Sequence, residues 1–128
     1  MRLRNVVFMT VVMVFILTSP AVSQPWIDVK DPKNLQALHS NKTFRGTFWD
    51  KPFVEHYRAD GKGIRISGEQ REPFTWEVKG DQVRVLYPNL THNWRLQRNK
   101  KNPDEYVRRD ANMPVMQVIK VEDGIPQF

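Results

Sequence analysis

The alternation of apolar and polar residues is cleanest in the middle of the chain. Phe74-Thr-Trp76-Glu-Val78 alternates strictly, Lys79-Gly80-Asp81-Gln82 supplies turn residues, and Val83-Arg-Val85-Leu-Tyr87 alternates back. A period of two marks a strand with one buried face, and two such runs around Gly-Asp mark a hairpin. A turn centred on Gly80-Asp81 pairs Val78 with Val83, Trp76 with Val85 and Phe74 with Tyr87. All three pairs share one face. A slip of one residue would turn the whole set to solvent, so the register is strongly specified.

Strand patterns continue on both sides. Residues 43–49 (TFRGTFW) are aromatic and β-branched and stop at Asp50-Lys51-Pro52. Residues 53–59 and 64–67 flank Asp60-Gly61-Lys62-Gly63, a strong turn signal. Closing a four-residue loop there pairs Tyr57 with Ile66 and Ala59 with Ile64, and places His56, Arg58 and Arg65 on the opposite face. A third hairpin is predicted from residues 93–98 to 104–109, with Leu96 opposite Tyr106 and Arg98 opposite Asp104. Residues 115–121 form a last strand, and 125–128 a frayed end. Ahead of the strands, Asp31 as N-cap and Pro32 at the first helical position predict a short helix over about 32–41, with Leu35 and Leu38 on its apolar edge. Residues 24–30 form a lead with one large anchor, Trp26.

This pattern predicts a mainly all-β fold. It is an antiparallel up-and-down meander of about 7–8 short strands, curled into a small barrel or bent sheet to hide its apolar face, with one short N-terminal helix closing an end or covering an edge. The first residues are of another kind. Arg2 and Arg4 precede the apolar run of residues 6–17 (VVFMTVVMVFIL), which ends at Thr18-Ser19-Pro20 and the small residues Ala21-Val22-Ser23. Basic, apolar, then small is the order of a secretory signal peptide, predicted over 1–23. The run falls short of the roughly 20 apolar residues that a membrane-spanning helix needs. One domain, 24–128, follows, with strands from 43 to 121. Two of the chain's twenty Lys and Arg lie in the leader, so the mature excess is smaller than the formal +6 of the whole chain. There is no cysteine. A small exported domain without disulfides rests on burial alone, and this points to a bacterial envelope more than to a eukaryotic secretory route.

The order of elements also resembles a known architecture. Leu35-x-x-Leu38 in a short helix is followed by Asn41-Lys-Thr43-x-x-Gly46, Tyr57-x-x-Asp60-Gly61 and Trp76-x-Val78-x-Gly80-Asp81. This is similar to the lipocalin-like small β-barrel domains of bacterial exported proteins, over roughly residues 35–85. The resemblance implies a barrel; its residues are turn and core positions, and it implies little about function. True lipocalins carry a Gly-x-Trp near the first strand, which Gly46-Thr47-Phe48-Trp49 only approximates.

No pattern of catalysis stands out. Cysteine is lacking, there is no Gly-x-Ser-x-Gly, and His39, His56 and His92 have no metal-ligand spacing. No catalytic residue, metal ligand or cofactor is therefore expected. Glu55 is singular because it shares the apolar face of Phe53 and Tyr57, where a carboxylate is either paired, for instance with an arginine, or lines a cavity. Glu55, Tyr57, Trp49 and Trp94 are the candidate ligand-lining residues. Arg95, Arg98, Lys100, Lys101, Arg108 and Arg109 crowd the third hairpin as a candidate ridge for anionic partners. Their aromatic neighbours lack the interleaving of a single-strand platform, so nucleic acid is not expected.

The expectation is thus an exported, non-enzymatic binding module, periplasmic or secreted, for a small apolar or amphipathic ligand, an anionic envelope component or a protein partner. Once the leader is cleaved it is not an integral membrane protein. The alternatives are a small envelope-polymer hydrolase using Glu55, and a secreted toxin- or inhibitor-type interaction protein.

Overall fold

Residues 25–128, the part of the chain that the computed structural model describes, form nine strands and one helix. The leader expected over residues 1–23 lies outside the described residues. In chain order the elements are β1 (Trp26–Val29), α1 (Pro32–His39), β2 (Lys42–Phe48), β3 (Lys51–Tyr57), β4 (Lys62–Ser67), β5 (Gln70–Lys79), β6 (Gln82–Tyr87), β7 (Leu90–Asn99), β8 (Glu105–Asp110) and β9 (Met116–Asp123). No helix among the described residues is long and apolar enough to cross a membrane.

Every neighbouring pair from β2 to β9 is antiparallel, and β9 returns to pair with β2. Eight strands therefore close into an up-and-down barrel with no free edge. A barrel of this size has an interior just wide enough to be filled by side chains. Here the filling is Phe44, Phe53, Tyr57, Phe74, Trp76, Val83, Val85, Trp94, Leu96, Tyr106 and Ile119, with Leu35 of α1. Gly63 makes room for one of them. A Cβ there would lie 2.1 Å from the Phe74 ring, so the missing side chain lets that ring lie across β4.

The Gly80-Asp81 hairpin has the expected register, with Trp76 opposite Val85 and Val78 opposite Val83. Gly80 takes a φ of 63°, as the first position of a two-residue hairpin turn requires. The helix starts as expected, with the Asp31 side chain accepting a hydrogen bond from the Lys33 amide at 2.9 Å. It ends at His39, two residues earlier than expected, because Asn41 adopts a left-handed φ of 58° that stops propagation.

Other expectations are corrected. The lead is a strand: β1 pairs Trp26 with Asn99 and Val29 with Leu96. β8 occupies one edge of β7 over these residues and β6 ends opposite Trp94, so β1 takes the edge that β6 leaves open. In the β3–β4 hairpin, Val54 faces Ile66, Glu55 faces Arg65 and Tyr57 faces Gly63. The loop is only Ala59-Asp60-Gly61, closed by the Arg58 amide on the Lys62 carbonyl (2.8 Å), with Gly61 at a φ of 91°. That tighter, glycine-bulged turn reverses the faces of β4, so Arg65 points into the barrel with Glu55 and Tyr57. The β7–β8 register is shifted by two, with Leu96 opposite Arg108 and Arg98 opposite Tyr106. The Asn99 side chain holds this loop through the amides of Lys101 (2.8 Å) and Asn102 (3.4 Å). A shift of two preserves the faces, so Tyr106 and Arg108 both point inward.

Candidate functional site

The two ends of the barrel differ. α1 plugs one end by inserting Leu35 and His39 against Phe44, Tyr57 and Trp76, with ring centroids of His39 and Phe44 4.6 Å apart. The Leu35 carbonyl accepts a hydrogen bond from His39 Nδ1 at 2.8 Å, which assigns the ring proton to that nitrogen. Burial lowers the His39 pKa to about 4, and the hydrogen bond to Leu35 only partly opposes this, so the ring is neutral.

Midway down the barrel lies a buried polar cluster. The Glu55 carboxylate receives both ends of the Arg108 guanidinium, Nη1 on Oε1 at 2.8 Å and Nη2 on Oε2 at 2.9 Å. Tyr57 Oη donates to Oε1 at 2.7 Å, and Gln117 Oε1 accepts from Arg108 Nε and Nη2 at 2.9 and 2.6 Å. Burial of Glu55 works against its charge. The field of Arg108, together with hydrogen bonds from Arg108 and Tyr57, outweighs this and holds the carboxyl below its usual range. Arg108 stacks 4.3 Å over the Trp94 ring. The pairing is thus bidentate, closed and hydrogen-bonded on all sides, the condition under which a buried charge pair is tolerated.

Above this cluster the end opposite α1 is open. A cavity of about 680 Å³ is lined there by Phe48, Pro73, Pro88, Leu90, Met113 and Val115 on its apolar side, and by Arg65, Tyr87, His92 and Gln117 on its polar side. Arg65 reaches Glu55 Oε2 at only 3.4 Å and lies 4.3 Å over the Phe53 ring. Burial raises the pKa of Tyr87, and its enclosed O–H finds no acceptor. His92 Nδ1 bonds Asp110 Oδ2 at 2.6 Å and the ring stacks on Trp94 at 4.6 Å. An ionised carboxylate only accepts, so the proton sits on Nδ1 and leaves Nε2 as the second site of that ring.

The residues singled out from the sequence fall in three places. Glu55, Tyr57 and Trp94 are in the closed core beneath the cavity, at 2 % exposure or less. Trp49 is outside, 84 % exposed on the β2–β3 turn, next to the half-exposed Phe48. The six cations do not form one ridge. Arg108 is wholly internal, Arg95 and Arg109 face each other on the outer wall, and Arg98 lines a groove of about 1090 Å³ at the helix end with Asp28, Asp31, Asp104 and Asp123. Lys100 and Lys101 are exposed on the loop beyond it. A guanidinium two residues from inward Tyr106 has to point inward too, a signal that the charge density of the hairpin masks.

The cavity residues Arg65, His92 and Gln117 are not among those candidates. Arg65 is misplaced by the expected β3–β4 register; His92 and Gln117 lie on the inner faces of β7 and β9 and carry no motif. Tyr87 is legible as inward from its alternation with Val83 and Val85, but as one core aromatic among many. Comparison with protein-family models, with curated proteins and with solved structures finds no match to this chain.

Proposed function

We propose that the protein is an exported binding module, of the lipocalin-like kind that the sequence resembles, holding a small amphipathic molecule in the open end of the barrel. The carrying observation is the cavity of about 680 Å³ opposite α1, apolar on one side and polar at its floor. Ligand sites are of this kind, concave and mostly apolar with a few convergent polar groups, and the mouths of barrels are a usual place for them. The test is native mass spectrometry on protein purified from its own compartment, with displacement of a neutral naphthylamine fluorophore by lipid extract. A bound mass and displacement are expected. An empty protein that neither binds nor releases the fluorophore overturns the proposal.

A second reading keeps chemistry at the same cavity. Glu55 is engaged by Arg108 and Tyr57 and closed to solvent, so it has no free lone pair or proton for a polymer bond. The pair of His92 and Asp110 at the cavity wall has instead the arrangement of an oriented general base. Hydrolysis of a panel of aryl esters, abolished by His92→Asn with the fold intact, supports that reading; no turnover above buffer removes it.

A further inference from the structure

We infer that the ligand's polar head is a carboxylate, held at the cavity floor by Arg65, Tyr87 and Gln117. This rests on the reading of the open end as a site for an amphipathic molecule.

The census of donors and acceptors at the floor is one-sided. Each Glu55 oxygen already receives a strong hydrogen bond from Arg108, so that carboxylate is neutralised before Arg65 reaches it. The contact from Arg65 Nη1, at 3.4 Å, is the longest of those on Glu55. Among the described residues no other carboxylate takes the Arg65 N–H groups, which leaves a five-donor fork with one long bond to an anion and a positive charge in excess of Glu55. Arg108 can only donate, so Gln117 must turn its oxygen to Arg108 and its amide N–H₂ away, on the residue's cavity side. The Tyr87 hydroxyl is buried beside the Arg65 guanidinium, which favours its ionised form, and its O–H finds no acceptor.

Three donors therefore converge with no free anionic acceptor among them. Glu72, the partner of Arg65 across the β4–β5 ladder, is exposed at the rim and makes no ion pair; Asp110 is taken by His92. A buried donor without a partner is costly, and a single anion between Arg65 and Tyr87 would satisfy both. The guanidinium fork suits a planar carboxylate bidentately. At the floor one excess charge balances one carboxylate; Arg71 and Glu72, exposed at the rim, offset each other, so a phosphate dianion would bring a second negative charge with no second cation in excess. The apolar wall of Phe48, Leu90 and Val115 then receives the rest of the molecule.

Isothermal titration of the mature protein with dodecanoate, dodecanol and dodecyl phosphate separates the possibilities. Dodecanoate is expected to bind about tenfold or more tighter than dodecanol, as one charge-assisted hydrogen-bond pair implies. Arg65→Gln should reduce that preference to about twofold or less. Tyr87→Phe, which deletes one oxygen and no packing, should weaken dodecanoate alone, about fivefold. Equal binding of dodecanoate and dodecanol, or an undiminished preference in both variants, overturns the carboxylate assignment and leaves the cavity reading in place. Tighter binding of dodecyl phosphate overturns it in favour of a phosphate head. Binding of none of the three overturns the assignment and the cavity reading together.

Discussion

Arg108 and Glu55 meet as a bidentate pair in the middle of the barrel, 53 residues apart in the chain, and neither is more than 2 % exposed. Each is the other's condition for being buried. Removing one leaves an uncompensated charge, which costs about 3–5 kcal/mol; replacing both with apolar residues of similar volume is often near neutral. Glu55→Leu and Arg108→Met should each lower the urea midpoint steeply, and the double variant should recover most of the loss. A double variant less stable than either single one would show that Tyr57 and Gln117, not the pair, anchor the cluster.

Acid should loosen the helix end of the barrel. The folded His39 pKa of about 4 lies below the usual value of 6.5, so the unfolded chain binds the extra proton between them. Stability from this group is complete above pH 6.5 and is lost as pH falls toward 4, by about 3 kcal/mol at most. His56, also lowered by burial and by Arg45 and Arg71, adds loss in the same direction below pH 6.5. Glu55, lowered as well, contributes only below its unfolded value of 4.5. Urea midpoints measured from pH 7 to 4.5 should therefore fall less in His39→Gln than in the native chain, with His56→Gln as the control. Parallel slopes in all three would refute the assignment.

Trp76 should matter far more than Trp26. Trp76 is buried against His39 and Tyr57, and its indole N–H donates to the Arg58 carbonyl at 2.9 Å. Truncation to alanine should cost about 3–5 kcal/mol through lost transfer energy and the cavity left behind. Trp26 is only half-buried at the end of β1. Its truncation should cost well under half as much, and equal urea midpoints for the two variants would contradict this packing.

The β2–β3 turn carries strain that can be removed. Trp49 and Asp50 have φ values of 51° and 62°, the double left-handed turn that Asn-Gly favours. Trp49→Asn with Asp50→Gly should raise the unfolding midpoint, by about 1 kcal/mol of stability, because a bulky side chain at positive φ is unfavourable. A lower midpoint would mean that the Trp49 ring contributes packing despite its 84 % exposure.

Much of the barrel is set by local chemistry in the sequence. Alternation decides which residues of β5 and β6 face inward, glycine at position 80 decides where they turn, and Asp31-Pro32 decides where the helix starts. These signals act over a few residues, so they survive without tertiary context. They even single out Glu55 as an inward carboxylate. Its partner was beyond their reach, since Arg108 meets Glu55 only after four strands intervene and the barrel closes through β9 and β2. The cavity floor depended on a finer choice. A three-residue bulged turn at Gly61, in place of a four-residue one, changes the parity of β4 and carries Arg65 from the outer face to the inner one. Two loop lengths compatible with the same residues differ by a small free energy, and the packing of the whole barrel selects between them. The pairing that closes the barrel and the donor-lined floor at its open end are therefore properties of the tertiary structure.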